Sequence, residues 1–241
     1  MRTHLVRYSL LASAMVLPAV TTQAADINPV LLTQAEFKLL SEDLGSVVSF
    51  KPLIPAESMG ITGFDVGIAV TGTKLQNRPV WEKAAAGSSI PSTLPVPMLR
   101  VHKGLPFNID IGASYAKVPS TNIKITGGEL RWAFVPGGVA TPALAVRASL
   151  SSLSGVDRLK LRTTGFDVSI SKGFAFLTPY VGAGTVKVKS TPDGAGLASE
   201  SFSQSKVFGG LNLNFGLANV VFEGDKTGKA TSYGVKFGLR F

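Results

Sequence analysis

The chain has 241 residues, no cysteine, 26 glycines and a formal charge of +9. That suits one large all-β domain or two small ones, and it excludes disulfides, thiolate metal sites and an acylated lipoprotein cysteine. A pI near 9.9 admits anionic lipid or nucleic acid as a partner, but there is no nucleic-acid motif, clustered basic helix or aromatic RNA-sheet pattern, so nucleic acid is not expected.

Residues 1–25 read as a secretory signal peptide. Arg2 and Arg7 supply the positive start, Tyr8 to Val20 the apolar core, and Thr22, Ala24 and Ala25 the small residues of a cleavage site. Beyond it no run of about 18 apolar residues exists, so no transmembrane helix is available.

Residues 26–60 are expected to form an N-terminal periplasmic segment holding one helix. Thr33 and Glu36 fit a capping box. Phe37, Leu40 and Leu44 share a face at helical spacing, and Gly45 is a plausible stop. Ser46 to Lys51 is a possible short strand, ended by Pro52 and Pro55. The helix has four candidate roles: plugging a lumen, lying on a leaflet, docking a partner or simply capping the domain.

From residue 61 the pattern changes to period two. Phe64, Val66, Ile68 and Val70 alternate with small and polar residues, as do Phe107 to Tyr115, Leu144 to Leu150 and Phe166 to Ile170. Such alternation makes half-buried antiparallel strands, whereas parallel ones read as continuous apolar runs. Ten strands are predicted, near 61–73, 94–103, 105–117, 121–135, 139–152, 158–171, 174–189, 201–215, 217–224 and 229–241. Two of them change phase midway. Ile123 and Ile125 give way to Leu130, Trp132 and Phe134, and Leu159 and Leu161 give way to Phe166 and Val168. A β-bulge is expected at each.

The last strand sets Tyr233, Val235, Phe237, Leu239 and Phe241 on one face and Ser232, Gly234, Lys236, Gly238 and Arg240 on the other. Over these nine residues the chain resembles the C-terminal strand of bacterial outer-membrane β-barrel proteins. In that class a terminal aromatic residue, with apolar residues at every second earlier position, is read by the barrel-assembly machinery. The resemblance implies an all-β fold, a single antiparallel up-and-down transmembrane barrel spanning residues 61–241, in the outer membrane of a Gram-negative bacterium. It makes outer-membrane lipid and the assembly machinery the expected partners.

With the C-terminus on the periplasmic side, the short links near Gly216, Lys172-Gly173, Pro136 to Gly138 and Gly104 fall inside. The longer ones, Lys74 to Thr93 and Ser190 to Glu200, fall outside. Parity then turns Asp65, Asp110, Glu129, Arg131, Arg147, Asp167, Lys187, Asn212, Asn214, Glu223, Lys236 and Arg240 toward the lumen. Acids and bases nearly balance, which suggests a lumen laced with ion pairs, since a buried charge needs a partner. The alternative is a selectivity lining. Trp81, Tyr115, Trp132, Phe176, Tyr180, Tyr233 and Phe241 are candidates for interfacial girdles.

Chemistry is sparse. Of two histidines, His4 belongs to the signal and His102 is placed at a periplasmic turn, as a rim residue on the wrong side for lipid chemistry. No catalytic, metal or cofactor site is expected. The leading expectation is a small outer-membrane barrel with a structural or surface-interaction role and a mostly closed, charged lumen. The alternatives are a narrow channel or carrier for small solutes, and a soluble periplasmic lipid-binding barrel.

Overall fold

The computed structural model describes residues 27–118, 122–194 and 196–241; the signal-peptide reading lies outside them. Ten antiparallel strands form the barrel: β1 (Phe64–Lys74), β2 (Thr93–Leu105), β3 (Ile109–Lys117), β4 (Lys124–Pro136), β5 (Ala143–Ser154), β6 (Leu159–Ser171), β7 (Leu177–Pro192), β8 (Glu200–Phe215), β9 (Ala218–Thr227) and β10 (Ala230–Arg240). Each pairs with its neighbours in sequence, and β1 pairs with β10, so the sheet closes. Closure removes every edge that would otherwise template aggregation. At the seam Phe64 and Phe241 exchange both backbone hydrogen bonds, at 2.6 and 3.0 Å.

Among the described residues two α-helices accompany the barrel, α1 (Gln34–Val48) and the short α2 (Arg78–Ala84) in the β1–β2 link. The Thr33/Glu36 capping box is present. However, α1 does not stop at Gly45. It continues to Val48 and takes in half of the stretch expected as a strand. Gly45 serves packing instead, because a Cβ there would lie 2.5 Å from Val188 Cγ2.

Residues 26–60 are expected as a periplasmic segment whose helix has plugging of the lumen among its candidate roles, and the described part of the segment runs inside the barrel. Helix α1 fills the mouth at the end opposite Phe241. Phe37, Leu40, Leu44, Val47 and Val48 pack there on Leu153, Leu159, Leu161, Val186 and Val188, which point inward from β5, β6 and β7. Residues 49–60 then cross the lumen and reach β1 at the other end.

This filling explains why neither expected bulge occurs. Strand β6 alternates without a break from Leu159 to Ser171, and its register with β5 and β7 is continuous. The apolar residues change face because the surroundings change. Near Leu159 and Leu161 the inside is an apolar helix and the outside carries Lys160 and Arg162, whereas from Phe166 to Ile170 the outside is apolar and the inside carries Asp167. The same holds for Ile125 and Leu130 on β4. A register shift does occur on β4, between Trp132 and Val135.

Candidate functional site: the lumen and its internal strip

The segment from Ser49 to Met59 contains two prolines and no secondary structure, yet most of it is buried. Buried backbone amides and carbonyls need partners, and here charged side chains of the barrel supply them. Lys206 donates to Phe50 O at 2.6 Å, and Arg100 to Pro52 O at 3.0 Å. Arg131 donates to Pro55 O and, at 3.3 Å, to Glu57 O. In the other direction Glu223 accepts from Leu53 N at 2.7 Å, Ser171 from Ala56 N at 3.1 Å and Asp110 from Met59 N at 3.0 Å. The Arg100 guanidinium also sits 4.6 Å from the centre of the Phe50 ring.

Two of the charges that hold the strip, Arg131 and Asp110, pair with each other, and further ion pairs line the lumen around them. Arg131 binds Asp110 at 2.9 Å. Arg147 bridges Glu129 at 3.1 Å and Asp167 at 2.9 Å. Asp65 collects Lys236 at 2.7 Å and Arg240 at 3.2 Å. From the strip, Lys51 reaches Asp225 at 2.8 Å.

Of the residues expected in the lumen, Asp65, Asp110, Glu129, Arg131, Arg147, Asp167, Asn212, Glu223 and Lys236 are buried there, with Asn214 less so and Arg240 at the rim. Lys187 is a correction: it is exposed on the outer surface, and Val186 and Val188 point inward. The rule that apolar residues face out fails at that height, where α1 fills the inside and the outside is polar.

His102 is a second correction. It is no rim residue but is 1% exposed in the lumen, its Nε2 lying 3.1 Å from Glu129 Oε1. Gly112 makes room for it, since a Cβ there would fall 2.4 Å from the ring. Two girdle candidates are also misplaced. Trp81 is buried in α2, where it donates to Asp43, and Tyr180 is buried in the lumen, donating to Glu223 at 2.6 Å. Tyr115, Trp132, Phe176, Tyr233 and Phe241 do face outward and are exposed.

Arg100, Lys206 and Asp225 belong to the site and were readable by parity, since each alternates with an outward apolar or small residue. Lys51 carried no such signal, because its segment has no periodicity.

At the mouth, Asp43 on α1 caps α2. It accepts from Asn77 N at 2.9 Å, Gln76 N at 3.1 Å and Trp81 Nε1 at 3.0 Å. Burial pushes its carboxyl above the usual range, against the pull of these donors. Glu36 pairs with Lys83 at 2.8 Å. That bond and the capping contacts with Thr33 hold its carboxyl down at about 2.

On the outer surface Val66, Ile68, Leu99, Leu130, Trp132, Phe166, Val168, Val181, Leu211, Phe222, Phe237 and Leu239 are all exposed. Together they make a continuous apolar belt. From Tyr233 to Phe241 the strand rises about 27 Å along its own axis, or about 20 Å along the barrel at a tilt of about 40°, which is most of the apolar band, about 25 Å tall, of an outer-membrane barrel. A closed, up-and-down, even-stranded antiparallel barrel with an outward apolar belt is the architecture of bacterial outer-membrane β-barrel proteins.

No family model matches the sequence, and no curated protein is similar enough to count as a relative. Among solved structures, the N-terminal barrel domain of Pseudomonas aeruginosa OprF is similar at 14% identity and a TM-score of 0.37, covering 73% of this chain and 97% of that one. Acinetobacter baumannii Omp33 is similar at 7% identity and 0.33, covering 76% and 100%. Pseudomonas aeruginosa OprG is similar at 10% and 0.32, covering 79% and 99%. With likeness this distant, the class rests on this chain's own closed ladder and outward belt.

Proposed function

We propose that the chain is an outer-membrane barrel sealed by its own N-terminal segment, acting through its surface and its end rather than through a pore. One observation carries this reading: residues 49–60 occupy the lumen, and Arg100, Arg131, Lys206, Glu223 and Asp110 are committed to their backbone. A selectivity lining keeps its charges turned to solvent, whereas these are turned to the strip and to one another. The burial of His102 supports a non-catalytic role, since it leaves no face open to substrate.

The soluble lipid-binding alternative requires an apolar cavity inside and a polar surface outside. The arrangement here runs the other way at the level of the belt. A patch of this size on a water-soluble monomer would drive aggregation.

Planar-bilayer recording tests the sealed barrel. The full chain is expected to insert without stable conductance steps. A persistent ion-selective conductance in the wild type would overturn the reading in favour of a channel.

A further inference from the structure

The outward face is asymmetric in charge. Of the seven acids on the ten strands, Asp65, Asp110, Glu129, Asp167, Glu223 and Asp225 are buried; the seventh, Glu200 at the start of β8, is half-buried on the inward-facing parity and accepts a hydrogen bond from Gln34. The cations Lys74, Lys117, Lys124, Lys160, Arg162, Lys187, Lys189 and Lys226 are all exposed. They sit beyond the apolar belt, at the end that holds α1.

Two pairs of these cations are direct cross-strand neighbours. Arg162 on β6 lies opposite Lys189 on β7, and Lys117 on β3 lies opposite Lys124 on β4. Directly opposed residues hold their Cβ atoms about 5 Å apart, and like charges there destabilise a sheet. Among the described residues none of the four has an ion-pair partner. Hydroxyl groups flank them: Arg162 is opposite Ser152 and Lys189 opposite Ser201. Below the collar, open grooves lead from cation to belt. One is lined by Arg162, Thr164, Ser152 and Leu150, the other by Lys117, Tyr115, Leu99 and Val70.

We propose that this collar binds anionic lipid headgroups of the leaflet at the α1 end, the lipid anion lying between the paired cations and its acyl chains against the belt. This rests on the membrane-spanning reading. It explains why like charges face each other without an acid, and why the collar stands at the height where the belt ends. Cations close to an anionic membrane surface each contribute about 1 kcal/mol, so removing one pair weakens binding about thirtyfold.

The test uses the full chain in dodecylmaltoside, titrated with phosphatidylglycerol, with phosphatidylcholine or with inorganic phosphate, and read by native mass spectrometry and melting temperature. Phosphatidylglycerol is expected to bind and to raise the melting temperature, while the other two do neither. Arg162→Ala/Lys189→Ala is expected to bind it about thirtyfold more weakly, yet to melt higher than wild type in lipid-free detergent, because the repulsion is gone. Lys103→Ala, at the opposite end, keeps wild-type binding. Equal affinity for the two lipids, a response to phosphate alone, or wild-type binding by the double variant would each overturn the proposal. Failure to insert into vesicles of any composition would instead remove the membrane-spanning reading, and the proposal with it.

Discussion

Lys51 and Asp225 form a buried ion pair, 2.8 Å apart, between the strip inside the barrel and strand β9. Lys51 also donates to Ser46 O and Ser232 Oγ, each at 3.0 Å, and so joins the end of α1 to β10 as well. Removing one partner of such a pair leaves the other buried and uncompensated, at about 3–5 kcal/mol. Lys51→Ala is therefore expected to lower stability by that order in urea unfolding of the detergent-solubilised barrel. Lys51→Met/Asp225→Leu should recover most of the loss. A double variant no better than the single would show that the pair is not what holds the strip.

The seat of α1 depends on the absence of a side chain at Gly45, which packs on Val188. Gly45→Val is expected to destabilise by about 1–3 kcal/mol through overpacking, and to loosen the mouth more than the barrel. Hydrogen exchange should rise in residues 34–48 while the ladder from β6 to β8 stays protected. Uniform exposure would argue against a separately seated helix.

Asp43 supplies the cap that Asn77 at the start of α2 does not provide with its own side chain. Asp43→Ala orphans the N–H groups of Gln76, Asn77 and Trp81, at about 2–3 kcal/mol. The chain has two tryptophans, so a Trp132→Phe background isolates the Trp81 signal. Red-shifted Trp81 emission in Asp43→Ala is the expected outcome, and unchanged emission would count against the capping role.

Glu36 and Lys83 tie the start of α1 to α2 on the surface. The Glu36 carboxyl is depressed from its ordinary value of 4.5 to about 2, so the pair's contribution is complete above about pH 4.5 and is lost as pH falls toward 2. The melting-temperature difference between wild type and Lys83→Met is expected to follow that course, and to shrink in high salt because the pair is exposed. Asp43 acts with the opposite sign: its raised carboxyl favours the neutral form, and ionisation weakens the mouth as pH rises. Comparison with Lys83→Met separates the two effects.

The order of the strands, their number and the outward stripe Tyr233 to Phe241 were legible because alternation is a local property. It depends only on the pleat and on each segment's own residues. Sequential pairing of short-linked strands then gives the meander with little further information. The lumen set was legible for the same reason wherever the outside is apolar: Asp65, Arg147 and Glu223 follow from Val66, Val146 and Phe222.

Lys187, His102 and Trp81 show where local reading ends. Alternation says that successive side chains face opposite ways, but not which way is water. At the belt the inside is polar and the outside apolar. Above it, α1 makes the inside apolar and the outside cationic, so Lys187 and Val188 exchange the sides that parity assigned them. The seat of α1 is itself nonlocal, resting on Gly45 meeting Val188 and on Lys51 finding Asp225 across more than a hundred residues of chain. The amino-acid sequence by itself determined a closed antiparallel barrel and the stripe that marks its last strand. Only the tertiary structure decided that the barrel is filled by its own N-terminal segment, because a segment without periodicity is placed by the side chains that satisfy its backbone.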